Sequence, residues 1–226
     1  MLLSYAPPFI FIHIDKSAGS SIQLALQHYS QPRRDRRLRR RMTLLGRINR
    51  VANLYRSLEF PEHVTAQTVK QCLPPELYST AFKFAFVRNP WDRLVSRYAF
   101  LLDNVGHPEH RMVKRMRRFE DYVEWEIRQR RMFQCDYVTG PNNQLIVDFI
   151  GYYERLHRDF EHVCACLGIE AELPHDNASN HTEYRNYYTP ASRELVAEHF
   201  RHDIELFGYD FDGLREPAPA IAAARR

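Results

Sequence analysis

The chain has 226 residues, a mass of 26.9 kDa and a net charge of +4, with 44% hydrophobic, 27% charged and 13% aromatic residues. A chain of this length buries roughly 70% of its unfolded surface without help from disulfides or zinc, which excludes a disordered or fibrous protein. No apolar run reaches the roughly 18 residues of a membrane span; the longest, FIFIHI and LIVDFI, have strand length.

The N-terminal MLLSYAPPFIFIHIDK shows neither a basic leader nor a small-residue cleavage site, so no secretory signal is expected. Residues 9–14 read as a buried strand, followed by the turn DKSAGS and a helix from Gly19 to Tyr29. The window RRDRRLRRR at 33–41 holds seven arginines and one aspartate, which leaves the remainder of the chain slightly acidic. A local patch of this kind argues against a general nucleic-acid binder. Apolar residues at helical spacing from Arg36 to Leu58 predict an amphipathic basic helix, an insertion at about 33–58.

A helical stretch over 65–80 is interrupted at Pro74 and Pro75, and KFAFVRN then reads as a second buried strand. Pro90 stands where the next helix begins. Residues 108–131 are predicted helical, 144–150 a third strand, and 153–167 and 190–207 amphipathic helices, with a disordered tail at 215–226. Alternating strands and helices predict an α/β fold with a mainly parallel central sheet, one domain spanning 1–214. Cys72, Cys135, Cys164 and Cys166 form no CxxC pair, so no structural zinc is expected and a reducing cytoplasm is the expected setting.

The sharpest chemical feature is a lysine followed by small residues between a strand and a helix. Backbone N–H groups at a helix start and the helix dipole attract an anion, small residues let it approach, and Lys16 adds a charge. Ile12, His13, Ile14 and Asp15 precede the lysine where a Walker A loop would carry glycine, so this is not that loop. Composition alone leaves an ordinary strand-to-helix turn equally open.

HIDKSAGSS together with FVRNPWDRLVSRY at 86–98 resembles the sulfotransferase superfamily, and within it the branch of heparan and chondroitin sulfotransferases and their bacterial relatives. The likeness continues through VDFIGYYERLHRDFEHVCACLGI and the segment from Leu173 to Tyr209, and Asp15 replaces the proline usual before the lysine. The resemblance implies a P-loop-like three-layer sandwich and the donor 3′-phosphoadenosine 5′-phosphosulfate. It assigns Lys16, Ser17, Ala18, Gly19, Ser20 and Ser21 to the 5′-phosphosulfate, with Lys16 stabilising the departing phosphate oxygen. It assigns Arg88 and Ser96 to the 3′-phosphate, a strand-end salt bridge being the ordinary alternative for Arg88. No metal is implied.

Sulfuryl transfer to a hydroxyl needs a base, and among eleven histidines His63 in PEHVTAQ is the expected one, since EHV resembles the GHV of some heparan-sulfate enzymes. Glu59 and Glu62 are weaker substitutes; His13 reads as a core histidine, and His107 and His110 as surface residues. Asn180, His181, Tyr184 and Arg185 fall where relatives close a loop over the nucleotide. The expected activity is a cytoplasmic sulfotransferase acting on a carbohydrate hydroxyl, with acidic saccharide or an anionic surface as a partner of the arginine patch. A nucleotide-dependent phosphotransferase and a non-catalytic anion-binding module are the alternatives.

Overall fold

The computed structural model describes residues 1–30, 60–129, 131–174 and 183–215. The predicted basic helix at 33–58 and the predicted tail from 216 onward lie outside the described residues; Arg215 donates its amide to the Gly208 carbonyl at 2.8 Å. The strands are β1 (Leu2–Tyr5), β2 (Pro8–Ile12), β3 (Phe82–Val87), β4 (Phe149–Tyr152), β5 (Tyr209–Asp210) and β6 (Gly213–Leu214). The helices are α1 (Gly19–Leu26), α2 (Ala66–Cys72), α3 (Pro75–Thr80), α4 (Pro90–Asp103), α5 (His110–Val113), α6 (Phe119–Arg128), α7 (Gln134–Val138), α8 (Leu156–Leu167), α9 (Pro190–His199) and α10 (Arg201–Phe207). The described parts of Met1–Phe86 and Asp136–His175 form one compact unit, and those of Val87–Cys135 and Asp176–Ala220 a second.

The first unit is built on a mostly parallel sheet of order β1-β2-β3-β4. β2 and β3 pair in parallel, Phe9 opposite Phe82 and Ile12 opposite Ala85. β1, which no alternation in the sequence announced, pairs antiparallel with β2, Leu2 opposite Phe11 and Tyr5 opposite Pro8. Alternate residues leave opposite faces of a strand. Phe9, Phe11, Phe82, Phe84 and Phe86 therefore share one face, where Ile22 and Leu26 of α1 and Phe160, Val163 and Leu167 of α8 cover them. Ile10, Ile12 and Ala85 on the other face are equally inaccessible. Strands buried on both sides explain why the sequence shows continuous apolar runs there. Burial of each phenylalanine contributes about 2–3 kcal/mol, and the Phe11 and Phe84 rings stack with centroids 5.2 Å apart. Gly151 of β4 lies against the Phe86 ring, where a Cβ would stand 2.5 Å from a ring carbon.

The third core strand begins at Phe149, not at 144 as predicted. The polar groups of the preceding residues have other partners. Asp148 accepts the Lys83 amide at 2.8 Å and pairs with the Lys83 ammonium at 2.8 Å, while the Ile146 carbonyl accepts the Tyr78 hydroxyl and its amide reaches the Val138 carbonyl.

In the second unit, α4 starts as predicted: Asn89 accepts the Trp91 amide at 3.0 Å and Pro90 occupies the first turn. Its apolar side, Trp91, Leu94, Val95 and Leu101, packs with Phe119, Tyr122 and Val123 of α6 and with Val196 and Ile204 of α9 and α10. The predicted helix at 108–131 is two helices. KRMRR at 114–118 crowds like charges that oppose a continuous helix, and Asp121 accepts the Arg118 amide at 3.1 Å to start α6 afresh. The predicted helix at 190–207 likewise breaks at Phe200, whose ring is buried. His110 is a core residue and not the surface one expected: it is 4% exposed, with Nδ1 2.9 Å from the Leu101 carbonyl oxygen.

Candidate functional site

Between the end of β2 and the start of α1 the chain makes a tight loop. Lys16 and Ala18 both adopt left-handed backbone geometry, with φ of 63° and 60°. Each carries a Cβ, so each costs about 1–2 kcal/mol over an ordinary turn residue. Such turns direct successive N–H groups into one concavity, an arrangement suited to an anion. Ala18 stands at the N-cap of α1 and supplies no side-chain bond to the helix N–H groups. Ser17 and Ser21 are buried at 1% and 4% exposure, while Ser20 is exposed.

His63 lies on the short loop before α2, whose own start is fixed by Thr65 accepting the Thr68 amide at 3.1 Å. The His63 ring is exposed, and its Nδ1 is 3.2 Å from the backbone carbonyl oxygen of His13. A carbonyl can only accept, so Nδ1 carries the proton of this bond and the neutral ring presents the Nε2 lone pair. The His13 ring, 4% exposed, meets the His63 ring edge-on with centroids 4.7 Å apart. Its Nδ1 is 3.4 Å from Oε1 of Glu62, a half-exposed carboxylate. On its other side the His13 ring fills the space over Gly19, where a Cβ would fall 1.8 Å from the ring. Within the first unit the structure thus gathers the predicted base, the glycine of the predicted anion loop and a histidine that the sequence reading had set aside as core. Glu59 lies outside the described residues.

In the second unit Arg88, 3% exposed, directly follows β3. Its Nε donates to Asp92 at 2.7 Å, so the strand-end salt bridge named as the ordinary alternative is present. That pairing offsets the cost of burying the guanidinium and fixes the plane of its fork. The backbone of Arg88 is clamped as well: Gln134 accepts its N–H at 2.9 Å and donates to its carbonyl at 2.8 Å. Gln134 is positioned by Asp203, which is fully buried and accepts the Gln134 and Cys135 amides, each at 2.9 Å. Ser96, 1% exposed, follows Asp92 by one helical turn, so Arg88, Asp92 and Ser96 share one side of α4 and its entry.

Asp92 was legible as an i+4 partner of Arg88. Gln134 and Asp203 were not, because their partners lie far away in sequence and neither belongs to a pattern. Tyr184 and Arg185 are held within their own unit: Tyr184 donates to the Phe211 carbonyl at 2.5 Å, and Arg185 pairs with Glu183 and the Asp212 carbonyl. Asn180 and His181 lie outside the described residues. Among the described residues no cluster of three or more His, Cys, Asp or Glu is placed to hold a metal, and no helix is long and apolar enough to cross a membrane.

A parallel strand pair, with a tight left-handed loop after one strand and a buried arginine after the other, defines an α/β protein. The chain belongs to the Sulfotransferase family, whose pattern it matches over residues 3–210. It is 32% identical over 117 residues to an "Uncharacterized protein" of Archaeoglobus fulgidus, covering 48% of this chain and 85% of that one. Its fold is similar to that of mouse sulfotransferase SULT7A1, solved in complex with PAP, with a TM-score of 0.52, 13% identity, and coverage of 90% of this chain and 86% of that one.

Proposed function

We propose that the protein transfers a sulfuryl group from 3′-phosphoadenosine 5′-phosphosulfate to a hydroxyl, with carbohydrate as the acceptor class. The observation that carries this reading is the bond from His63 Nδ1 to the carbonyl of His13, three residues before Lys16 on the anion loop. Family membership supports the reaction type, and the PAP held by the mouse protein supports the donor. In the reaction the acceptor oxygen attacks sulfur, the new O–S bond forms as the bond from sulfur to the 5′-phosphate oxygen breaks, and His63 Nε2 takes the hydroxyl proton. Lys16 and the N–H groups of 16–21 stabilise the negative charge on the departing phosphate oxygen. Arg88 and Ser96 hold the 3′-phosphate. Four free cysteines, two of them buried as small hydrophobes, support a reducing cytoplasmic setting.

The test is donor-dependent turnover with labelled sulfate across a panel of saccharides, lipids and phenols, with calorimetry of adenosine 3′,5′-bisphosphate beside it. His63→Ala keeps donor binding and loses roughly 100-fold or more in turnover. Lys16→Ala loses turnover and donor affinity together. Arg88→Ala weakens the bisphosphate by about 2–3 kcal/mol. Equal wild-type affinity for adenosine 5′-monophosphate sinks the assignment of a 3′-phosphate site.

A further inference from the structure

The His13 side chain has no part in the proposed reaction, although it lies between two groups that do. One edge of its ring occupies the volume over Gly19, so close that an added Cβ would sit 1.8 Å from Cδ2 and 1.9 Å from Nε2. Its face-to-edge neighbour is His63 at 4.7 Å and 60°. Its Nδ1 approaches the Glu62 carboxylate at 3.4 Å, and its backbone carbonyl accepts from His63. Glu62 and His63 are adjacent in sequence, so one short segment sets a carboxylate beside the His13 ring and leans a second ring against it.

We propose that His13 is a positioning residue: its ring, seated on Gly19 and set beside the Glu62 carboxylate, holds the His63 imidazole against the His13 carbonyl so that Nε2 faces the acceptor. The inference rests on the reading of His63 as the base. An exposed imidazole held only at one nitrogen by a 3.2 Å contact to a carbonyl would otherwise rotate about its side-chain torsions and exchange tautomers. The edge-on ring supplies the second contact that a single hydrogen bond does not. Glycine at 19 is then required for a reason apart from anion binding, because any larger residue displaces His13 and, through it, His63. Supporting residues of this kind are worth about 10–100-fold when removed.

The experiment combines kinetics with nitrogen NMR of the histidines. In the wild type the His63 ring is expected to carry its proton on Nδ1 alone. In His13→Gln it is expected to show the averaged tautomers of a free imidazole, with kcat down about 10-fold or more and KM for the donor nearly unchanged. Gly19→Ala, which keeps the His13 side chain but displaces its ring, should reproduce the averaging of the His63 tautomers. In a His13→Ala background Gly19→Ala should then change the His63 spectrum little further, since the clash is gone. Additive changes in the His63 spectrum, or an unaltered His63 spectrum in both single variants, overturn the proposal. The two readings fail separately: an active His63→Ala enzyme removes His63 as the base, while a His63 tautomer that shifts in His13→Gln still shows His13 positioning that ring.

Discussion

Asp203→Asn is the most exacting single test of how the arginine segment is supported. The carboxylate is fully inaccessible and accepts two backbone amides, Gln134 and Cys135, each at 2.9 Å. An asparagine keeps the volume but offers one acceptor oxygen, and its NH2 must then face the second amide as donor against donor. One bond to a charged group becomes a bond to a neutral one and the other becomes repulsive. At roughly 1.5–3 kcal/mol for each bond to a charged acceptor, the substitution costs about 3 kcal/mol. For a domain of this size that corresponds to about 6–12 °C in the melting temperature. The damage reaches function through Gln134, whose side chain brackets Arg88 with bonds of 2.9 and 2.8 Å. Loss of that clamp should weaken adenosine 3′,5′-bisphosphate about tenfold, although residue 203 is not among those assigned to the ligand. Thermal unfolding and titration calorimetry on wild type, Asp203→Asn and Asp203→Ala measure both quantities. A midpoint shifted by less than a degree, or a full loss of stability with nucleotide affinity intact, refutes the proposed chain from Asp203 through Gln134 to Arg88.

Gly151→Ala should destabilise by about 1–3 kcal/mol, as for an overpacked core, because its Cβ would meet the Phe86 ring at 2.5 Å; adding Phe86→Leu should restore part of the loss in chemical denaturation. Burial pushes the Tyr152 phenol up to about 12, against the lowering effect of Arg155. Between about pH 10, where the unfolded chain has released this proton, and about pH 12, where the native protein does, stability falls as pH rises, and Tyr152→Phe should flatten that fall in urea midpoints. Burial holds the His199 imidazole below its ordinary value, opposed by the Asp203 carboxylate. As pH drops through about 6.5 the unfolded state takes the proton first and stability declines, so His199→Gln should reduce the acid slope measured between about pH 7 and pH 5.

Where a residue's role is local in sequence, the sequence disclosed it. Residues 9–14 and the run KFAFVRN read as buried strands because each is largely apolar, and Pro90 marked the start of α4 because a first-turn proline needs only its neighbours. Lys16, Gly19 and His63 were named from patterns a few residues long. The short β1 strand was missed, since four residues without alternation owe their structure to pairing with β2. Predicted helices that failed to run through 114–118 and Phe200 did so for reasons outside apolar periodicity: charge crowding in the first case, burial of a ring in the second. His13 is buried as expected, whereas His110, expected at the surface, is buried too. A histidine's place depends on which distant carbonyl or ring it meets, and no spacing records that.

The left-handed turn at Ala18 makes stability a poor reporter on the proposed anion loop. Replacing Ala18 by glycine relieves the crowding of its Cβ at φ 60°, worth about 1 kcal/mol or a little more. The same change gives the unfolded chain extra freedom worth about 0.4–1 kcal/mol. The two nearly cancel in a melt, yet they act on different ensembles. The folded loop gains access to backbone conformations that alanine forbids, so its N–H groups would converge for a smaller fraction of the time. A population selected only for thermal resistance would let this position drift without any visible sign, and the drift would first be felt as a weaker grip on a bound anion.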